Sequence, residues 1–399
     1  MGKFSPIRWF KKHYSYLLAV LSTGLIIGVL LTAQLTTLFK NPNPFEAENI
    51  KNLSQTTILH NPTDAPYFLV ARGFDLFTAP LSALRLSSVV FGLLIALLIC
   101  YTLRQWFSDR IAVAGTLFIV TSSWFLAFSR IGAPYVMGAF WLSLFIAIGT
   151  WRTYTTKPLL TDSLIVLAAG LSLYTPGYIW LAVIGVFVLA LRRRKQLYIL
   201  PRKHQWLLPL IMAAVTAPLI YAGFRNVSIV DNLLGINSLP LNFPEFLSRV
   251  FQNVSEIFFR GTASPSISLG RLPLLDIFSI VMVALGLYYF ERRITLRRSQ
   301  FLFAFGALAI FLVSMTEFKV GSLTIMFPII MLFAIGGIVE VLQRWLSSFP
   351  RNPVARSIGV CLLVTAIGFT SFYHLQRYFV AWSNNPDAIA AHSISENKD

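Results

Sequence analysis

Two glutamates that lie close together are the first residues whose type and spacing could do chemistry. Glu46 and Glu48 both fall in the short polar stretch 43–49. A carboxylate acts as a general base when it lies within hydrogen-bond reach of the proton that it removes. Glu46 also follows Asn43 by three residues, the spacing of a helix capping box, so a structural role is an equal alternative for it. The alternative for Glu48 is a solvated side chain.

Four basic residues near the ends of apolar segments could supply positive charge to an anion: Arg85, Arg130, Arg271 and Lys319. Arginine offers a planar fork of donors and lysine a compact charge, and both suit a phosphate group. A cation inside an apolar span is costly and usually faces the bundle interior or water. For Arg85 the alternative is a salt bridge, with Asp276 as a possible partner, or a contact with a carbonyl. For each of the other three cations the alternative is a solvated or snorkelling charge. Convergence of the four on one cavity would indicate a phosphate site.

Motifs for several other chemistries are missing from the sequence. It has no P-loop, no dinucleotide-binding glycine motif and no paired CxxC, and its five histidines do not show metal-ligand spacing. We therefore expect neither a bound metal nor a cofactor.

The elements that must position these residues are membrane-spanning helices. Of the 399 residues, 56% are hydrophobic and only 12% are charged, whereas soluble domains carry about 25% charged residues. A span needs about 20 apolar residues. The sequence predicts an all-α polytopic membrane protein with about eleven spans, at 16–38, 81–103, 111–128, 134–151, 162–174, 177–191, 206–224, 273–290, 301–316, 323–342 and 357–374.

The distribution of basic residues predicts the orientation of these spans. With the N-terminus in the cytoplasm, inner segments hold 21 of the 33 Lys and Arg residues and outer segments hold 11. This bias is the known orientation signal of membrane proteins. The net charge of +17 is therefore interpreted by side of the membrane, and no nucleic-acid partner is expected. The C-terminus is expected outside, and a bacterial inner membrane suits the short basic inner loops.

The stretch 162–191 allows two interpretations. Each half is only 13–15 residues long, about 20 Å of helix, which is shorter than a hydrocarbon core of about 30 Å. One kinked span would invert everything that follows and oppose the charge bias. We favour two short helices joined at 174–177, where protein or a water-filled cavity must cover the turn.

Amphipathic helices are predicted in the first and fourth outer loops, 39–80 and 225–272. Asn43 and Pro44 are a good cap and first residue for one helix. Asn242 and Glu245 repeat this arrangement for the second. The apolar face of the second helix is Leu247, Val250, Phe251, Val254, Ile257 and Phe258. An interfacial position is expected for both, with an acceptor-docking lid as the alternative for the second.

The order of these features resembles the membrane-embedded glycosyltransferases of the C-type fold, in the branch of protein O-mannosyltransferases and lipid-A aminoarabinose transferases. The resemblance covers nearly the whole chain. It rests on the acidic first outer loop, Asp64-Ala65-Pro66-Tyr67, Leu84-Arg85-Leu86, Phe128-Ser129-Arg130 and the run 269–275, with Phe318-Lys319 followed by Phe327-Pro328 as a weaker element.

This resemblance implies an inverting glycosyltransferase that uses a polyprenyl-phosphate sugar as donor and needs no metal. Glu46 or Glu48 would be the base, and the four cations would bind the donor phosphate. The acceptor would be a hydroxyl of a lipid, glycan or protein on the extracytoplasmic face, with membrane lipids around the chain. Residues 1–374 would form the membrane-embedded transferase domain and 375–399 an outer tail.

Two departures from the family pattern keep other functions open. The family usually carries Asp-Glu in the first loop, where this chain has Phe45-Glu46, and often an acid after the third span, where this chain has 132–135 without one. A catalytically inactive homologue is therefore one alternative. A transporter or flippase for lipid-linked sugars is another, although few charges lie in the middle of the spans, where transporters place their binding sites.

Overall fold

The computed structural model describes residues 6–55, 61–155, 158–181, 206–235, 239–240, 242–261, 264–315 and 322–393, and within them it contains helices and no strands. A 3₁₀-helix at Ser322–Met326 and a π-helix at Arg377–Trp382 accompany the α-helices. The α-helices are α1 (Pro6–Thr32), α2 (Pro44–Gln55), α3 (Ala65–Asp75), α4 (Pro80–Trp106), α5 (Asp109–Val120), α6 (Ser123–Arg130), α7 (Val136–Tyr154), α8 (Pro158–Ser172), α9 (Leu207–Arg225), α10 (Val227–Leu234), α11 (Phe243–Phe258), α12 (Ile277–Glu291), α13 (Arg297–Met315), α14 (Phe327–Ser348), α15 (Pro353–Gln376) and α16 (Pro386–Ser393).

The predicted all-α polytopic membrane protein is confirmed, whereas the count of eleven spans is not established. Among the described residues, six helices are long and apolar enough to cross a membrane, or seven if one bent pair is a single span. Shorter apolar helices include Leu160–Ser172 and Ile277–Glu291. Most of the predicted span 177–191 lies outside the described residues.

The predicted third span, 111–128, is a bent pair rather than one straight helix. Its two parts, α5 and α6, form a helix pair that is bent by 68°. Thr121 ends the first part, and the Ser122 side chain accepts a hydrogen bond of 3.2 Å from the backbone N–H of Phe125, so a new helix starts there. Such a cap competes with continuation of the helix. The whole of α6 is buried, and the bend brings its last residue, Arg130, against the end of α1.

The core of the molecule is built around α14, which packs against α12 at backbone contact. An added Cβ on Gly286 would lie 1.7 Å from the Phe333 carbonyl oxygen, and one on Gly337 would lie 1.9 Å from the Met282 carbonyl oxygen. Small residues at such contacts let membrane helices approach closely.

Contacts between distant segments agree with the predicted alternation of sides. At the predicted outer end, the backbone N–H of Asp64 donates to the Tyr174 carbonyl at 2.7 Å. At the predicted inner end, the Trp106 indole donates to Thr150 at 3.1 Å, and Arg298 donates to the Trp106 carbonyl at 2.7 Å. Which end faces the cytoplasm remains a prediction from the charge bias.

The turn predicted at 174–177 is present and is covered by protein. The Tyr174 hydroxyl donates to the Val215 carbonyl, about halfway along α9, at 2.7 Å. The backbone N–H of Gly177, which has a φ of 80°, donates to the Leu233 carbonyl at 3.0 Å. The turn therefore has protein partners at the depth of a spanning helix, as hydrocarbon surroundings require.

The C-terminal segment does not separate from the helical bundle at residue 375, where the outer tail was predicted to begin. Helix α15 passes into the π-helix, and α16 then packs against the first outer loop. The His392 ring stacks on Phe39 with centroids 3.8 Å apart, and Trp382 meets the same phenylalanine edge-on at 4.9 Å. Residues 377–393 thus form part of the predicted outer end of the bundle.

Candidate active site

The capping box predicted at the start of α2 is confirmed. The backbone N–H of Glu46 donates to the Asn43 side chain at 2.9 Å, and the backbone N–H of Asn43 donates to the Glu46 carboxylate at 3.1 Å. These reciprocal bonds satisfy two donors at the helix start and hold the Glu46 side chain close to the bundle.

Glu46 also forms a buried bidentate ion pair with Arg85. The Arg85 Nε and Nη2 atoms lie 2.8 and 2.9 Å from the two carboxylate oxygens, and the backbone N–H of Gly132 adds a bond of 2.8 Å. The exposed fractions of the two side chains are 1% and 5%. The prediction that Asp276 could be the partner of Arg85 was wrong, because Glu46 on α2 forms the ion pair with Arg85 instead. Glu46 therefore accepts four hydrogen bonds, which leaves little room for a substrate proton.

The two arginines near the end of α1 bond carbonyls of its last turn and of the residues that follow it. Arg85 Nη1 donates to Leu35 at 3.0 Å and to Phe39 at 2.8 Å. Arg130 donates to the carbonyls of Leu30 and Ala33. Positive charge at a helix C-terminus is favourable because the exposed carbonyls carry partial negative charge.

Three of the residues predicted for the site therefore meet, but around a small cavity. Glu46, Arg85 and Arg130 line a space whose water-accessible volume is about 20 Å³, closed by Tyr378 and Trp382. The guanidinium of Arg130 also lies over the Tyr378 ring, 5.1 Å from its centroid. Of the four cations predicted to converge, only Arg85 and Arg130 line this cavity, and most of their donors point to backbone carbonyls and to Glu46 rather than to open space.

Glu48 differs from Glu46 because its side chain is exposed. It lies near Tyr135, whose ring meets Phe45 edge-on at 5.8 Å. Burial raises the pKa of Tyr135, and the negative charges of Glu48 and Asp64 add to the shift. Phe45 and Tyr135 stand in the two stretches where the resembled family carries acids, so an aromatic pair occupies the region where carboxylates were expected.

Asp64 is a buried acid that the sequence argument did not select as a site residue. It precedes α3 with a φ of 54°, and its Oδ1 atom is buried without a hydrogen-bond partner among the described residues. Burial raises the pKa of Asp64 to about 8, and a hydrogen bond with Thr175 opposes this shift. The stretch Asp64-Ala65-Pro66-Tyr67 carried the resemblance, but nothing in it indicated a protonated carboxyl.

A larger cavity lies on the other side of Tyr378 and Trp382. Its water-accessible volume is about 40 Å³, and the space including its open mouth is about 640 Å³. A sugar would enter only if side chains of these walls moved apart. The cavity is lined by Ser123, Trp124, Ala127, Phe128, Tyr135, Ile267, Ser268, Leu269, Leu274, Leu323, Thr324, Arg377, Tyr378 and Trp382.

Among the described residues that line this larger cavity, the cation is Arg377, which was not predicted as a site residue from the sequence. It donates to the carbonyls of Pro273 and Leu272 at 2.8 and 3.3 Å, which fixes its position at the wall. The available signal was a basic residue directly after the last apolar span. Arg271 is exposed in the loop whose residues 267–269 line the cavity. Lys319 lies outside the described residues.

An apolar groove runs between α4, α7 and α8. Its water-accessible volume is about 540 Å³, and the lining includes Pro66 and Phe91 near the predicted outer end and Trp151 near the other. The groove and the larger cavity both reach the start of α7, where Tyr135 lines the cavity and Phe140 lines the groove. A hydrocarbon chain would fit this lining, because apolar groups transfer favourably from water to such surfaces.

Comparisons with known proteins identify the fold. No family model and no curated protein sequence matches this chain. ArnT from Cupriavidus metallidurans in the apo state is similar in structure, with a TM-score of 0.53, 13% identity and coverage of 96% of this chain and 77% of ArnT. The same enzyme bound to undecaprenyl phosphate gives a TM-score of 0.54, with 13% identity and coverage of 95% and 77%.

The archaeal oligosaccharyltransferase AglB from Archaeoglobus fulgidus, in complex with an inhibitory peptide and a dolichol-phosphate, is also similar. Its TM-score is 0.55 at 13% identity, and the match covers 95% of this chain and 56% of AglB. Both neighbours are polytopic membrane glycosyltransferases of the C-type fold. The fold implied by the resemblance is confirmed, and this chain is an integral multi-pass membrane protein.

Proposed function

We propose that the chain is an inverting glycosyltransferase that moves a sugar from a polyprenyl-phosphate donor to an acceptor hydroxyl on the extracytoplasmic face of a bacterial inner membrane. The observation that carries this proposal is the fold, shared over about 95% of the chain with two transferases whose structures hold undecaprenyl phosphate and dolichol-phosphate. The acceptor would be a lipid, glycan or protein. The N-terminus would lie in the cytoplasm and the C-terminus outside.

The groove and the larger cavity supply complementary surfaces for such a donor. The prenyl chain would occupy the apolar groove, while the sugar and the phosphate would lie in the cavity beyond Tyr135. Arg377 at the cavity wall and the exposed Arg271 beside it are the described cations best placed for the phosphate, and Lys319 stays a prediction from the sequence. Positive charge there would stabilise the phosphate as it leaves the sugar.

The first outer loop would have a structural role in this proposal. The ion pair of Glu46 and Arg85, together with Arg130, holds α1, α2 and α4 around the small cavity, so these residues would shape the site. Glu48 and Asp75 are exposed carboxylates of this loop, and the role of Glu48 as base stays a prediction from the sequence. No metal or cofactor is proposed.

An inactive lipid-binding homologue is the second candidate, because Phe45 and Tyr135 pack together where the resembled family carries acids. Release of the lipid phosphate separates the two functions. Purified protein in lipid nanodiscs would receive ³²P-labelled undecaprenyl-phosphoryl glucose, mannose or aminoarabinose together with a bacterial envelope extract. A transferase releases labelled undecaprenyl phosphate from at least one donor. Binding of undecaprenyl phosphate without release from any donor would instead indicate the inactive homologue.

The substitution R377Q tests the cavity in the same assay. We expect slower release and weaker binding of undecaprenyl phosphate, because a charged hydrogen bond to the phosphate would be lost. R356Q is the matched control, since Arg356 is exposed near the start of α15, at the predicted inner end. Equal behaviour of the two variants would place the phosphate elsewhere.

A further inference from the structure

Three polar side chains from three helices form a continuous chain at the wall of the larger cavity. Ser123 begins α6, Asp276 caps α12, and His374 lies near the end of α15. Ser123 Oγ lies 3.0 Å from His374 Nδ1, and His374 Nε2 lies 3.1 Å from Asp276 Oδ1. The exposed fraction of the His374 side chain is 2%, whereas Ser123 lines the cavity. The chain thus runs from the cavity into the protein.

The partners of Asp276 determine where the protons lie. Its carboxylate accepts the backbone N–H groups of Phe278 and Ser279 at 3.0 and 3.3 Å, and these donors at a helix N-terminus favour the ionised form. An ionised carboxylate only accepts, so His374 Nε2 carries a hydrogen. When the ring carries only this hydrogen, its Nδ1 atom is an acceptor. Ser123 therefore donates its hydroxyl hydrogen to His374.

We infer that Ser123, His374 and Asp276 are the proton acceptor of the transfer reaction, an inference that rests on the proposed function. Ser123 is the catalytic residue because it faces the substrate cavity, and the other two are positioning residues. A serine whose proton is taken by a histidine held by a carboxylate is a known arrangement for activating a hydroxyl. Here the serine would pass a proton on rather than attack the sugar.

The step balances without another reactant. The acceptor hydroxyl gives its proton to Ser123 Oγ while Ser123 gives its own to His374 Nδ1. The acceptor oxygen forms a bond to the anomeric carbon, and the bond from that carbon to the phosphate oxygen breaks with its electron pair remaining on the phosphate. Asp276 stabilises the imidazolium until the proton returns through Ser123 to water, and the phosphate leaves as a dianion on the opposite face of the sugar.

The carboxylates of the first outer loop are less well placed for this task. Glu46 accepts four hydrogen bonds in its pair with Arg85, and Glu48 is not among the residues that line the larger cavity. The chain of Ser123, His374 and Asp276 therefore supplies a base on the wall of the cavity itself.

The charged and titratable groups around His374 determine the expected pH dependence. Asp276 faces Nε2, Tyr373 lies beside the ring with centroids 5.5 Å apart, and Arg377 follows one turn later along the same helical segment. A relay through Nδ1 requires this atom to be free of a proton, so the rate of release should fall at acid pH.

Two substitutions test the inference in the release assay. S123A removes the hydroxyl, and D276N removes the charge while asparagine remains a good helix cap. We expect both to slow release at pH 7 by at least about 100-fold, the contribution of a general base. The pH profile of the rate should also change in D276N, whereas a purely structural loss would lower the rate by the same factor at every pH. The affinity for undecaprenyl phosphate should not change. It can be measured through the fluorescence of Trp124 and Trp382, which line the cavity.

The control variant is S87A, since Ser87 is fully buried and its hydroxyl bonds only the Ala83 carbonyl of its own helix among the described residues. Wild-type rates in S123A would overturn the relay and leave the transferase intact. A slow S123A that also loses undecaprenyl phosphate binding would show a structural network only, which also overturns it. If D276N does not fold, S123A decides alone. A wild type that releases nothing from any donor overturns the transferase and the relay together.

Discussion

Glu46 illustrates how one side chain can satisfy two patterns in a sequence. Its distance from Asn43 predicted a cap, and its place after the first span suggested a base. The structure confirms the cap and adds the pair with Arg85, which no local spacing predicts because the two residues lie 39 positions apart. At the scale of single residues, the polar types were identifiable from the sequence, but their partners were not.

Loss of the Glu46 charge should destabilise the fold. In E46Q the Arg85 guanidinium would stay buried without a counter-charge, which costs roughly 3–5 kcal/mol. Thermal unfolding in detergent should show a clearly lower midpoint. E48Q is the matched control, since Glu48 is exposed and its loss should leave the midpoint near that of the wild type.

The same E48Q variant also tests the base predicted from the sequence. Because the cavity wall carries its own proton acceptor, we expect E48Q to release undecaprenyl phosphate at close to the wild-type rate. A large loss of rate at unchanged stability would return the role of base to Glu48.

Asp64 should make the stability of the protein depend on pH. The folded carboxyl has a pKa of about 8, against an ordinary value of 3.8, so between these values the folded state binds a proton that the unfolded state has released. Stability therefore falls as pH rises through this window. In D64N that part of the dependence disappears. As the pH rises from about 4 to about 8, the unfolding midpoint of the wild type should fall relative to that of D64N.

Helix starts were the most predictable elements, because caps are local. Asn43 and Asn242 begin α2 and α11 as their side chains predicted. The bend between α5 and α6 was missed, since its apolar residues satisfy the criterion for a span while Ser122 starts a second helix inside it. The apolar face predicted for α11 is only partly covered: Ile257 is buried, whereas Leu247 and Phe251 are 41% and 66% exposed.

The contact between α12 and α14 should be sensitive to a single methyl group. In G286A the new Cβ would collide with the Phe333 carbonyl, so the helices would have to move apart and the unfolding midpoint should fall. G368A is the control, because Gly368 lies in α15 with open space around it. There alanine should stabilise the helix by about 0.5–1 kcal/mol. A G286A protein as stable as the wild type would contradict this close packing.

At the scale of the whole molecule, the cavities could not be predicted from sequence patterns. Hydropathy predicted a polytopic helical membrane protein, and the order of short motifs predicted the fold, whereas the number of spans and their orientation stay predictions. The groove and the two cavities arise where segments far apart in the chain meet. Ser123 and His374 are 251 residues apart, and neither carried a signal of the other.

Cysteine labelling tests the predicted orientation of the whole bundle. In a background without the two native cysteines, R271C should react with a membrane-impermeant maleimide on spheroplasts, because Arg271 is exposed at the predicted outer end. R351C, exposed at the other end, should react only after the membrane is permeabilised. The reverse pattern would place the candidate site in the cytoplasm.

The order of Glu46 and Arg85 along the chain bears on how the protein is made. Since the acid comes first, it leaves the ribosome 39 residues ahead of the arginine. With the N-terminus in the cytoplasm, as the charge bias predicts, inserted α1 would leave the carboxylate at the far surface of the bilayer. The cation of α4 would then enter where a counter-charge is already in place, and the guanidinium would not be alone in lipid.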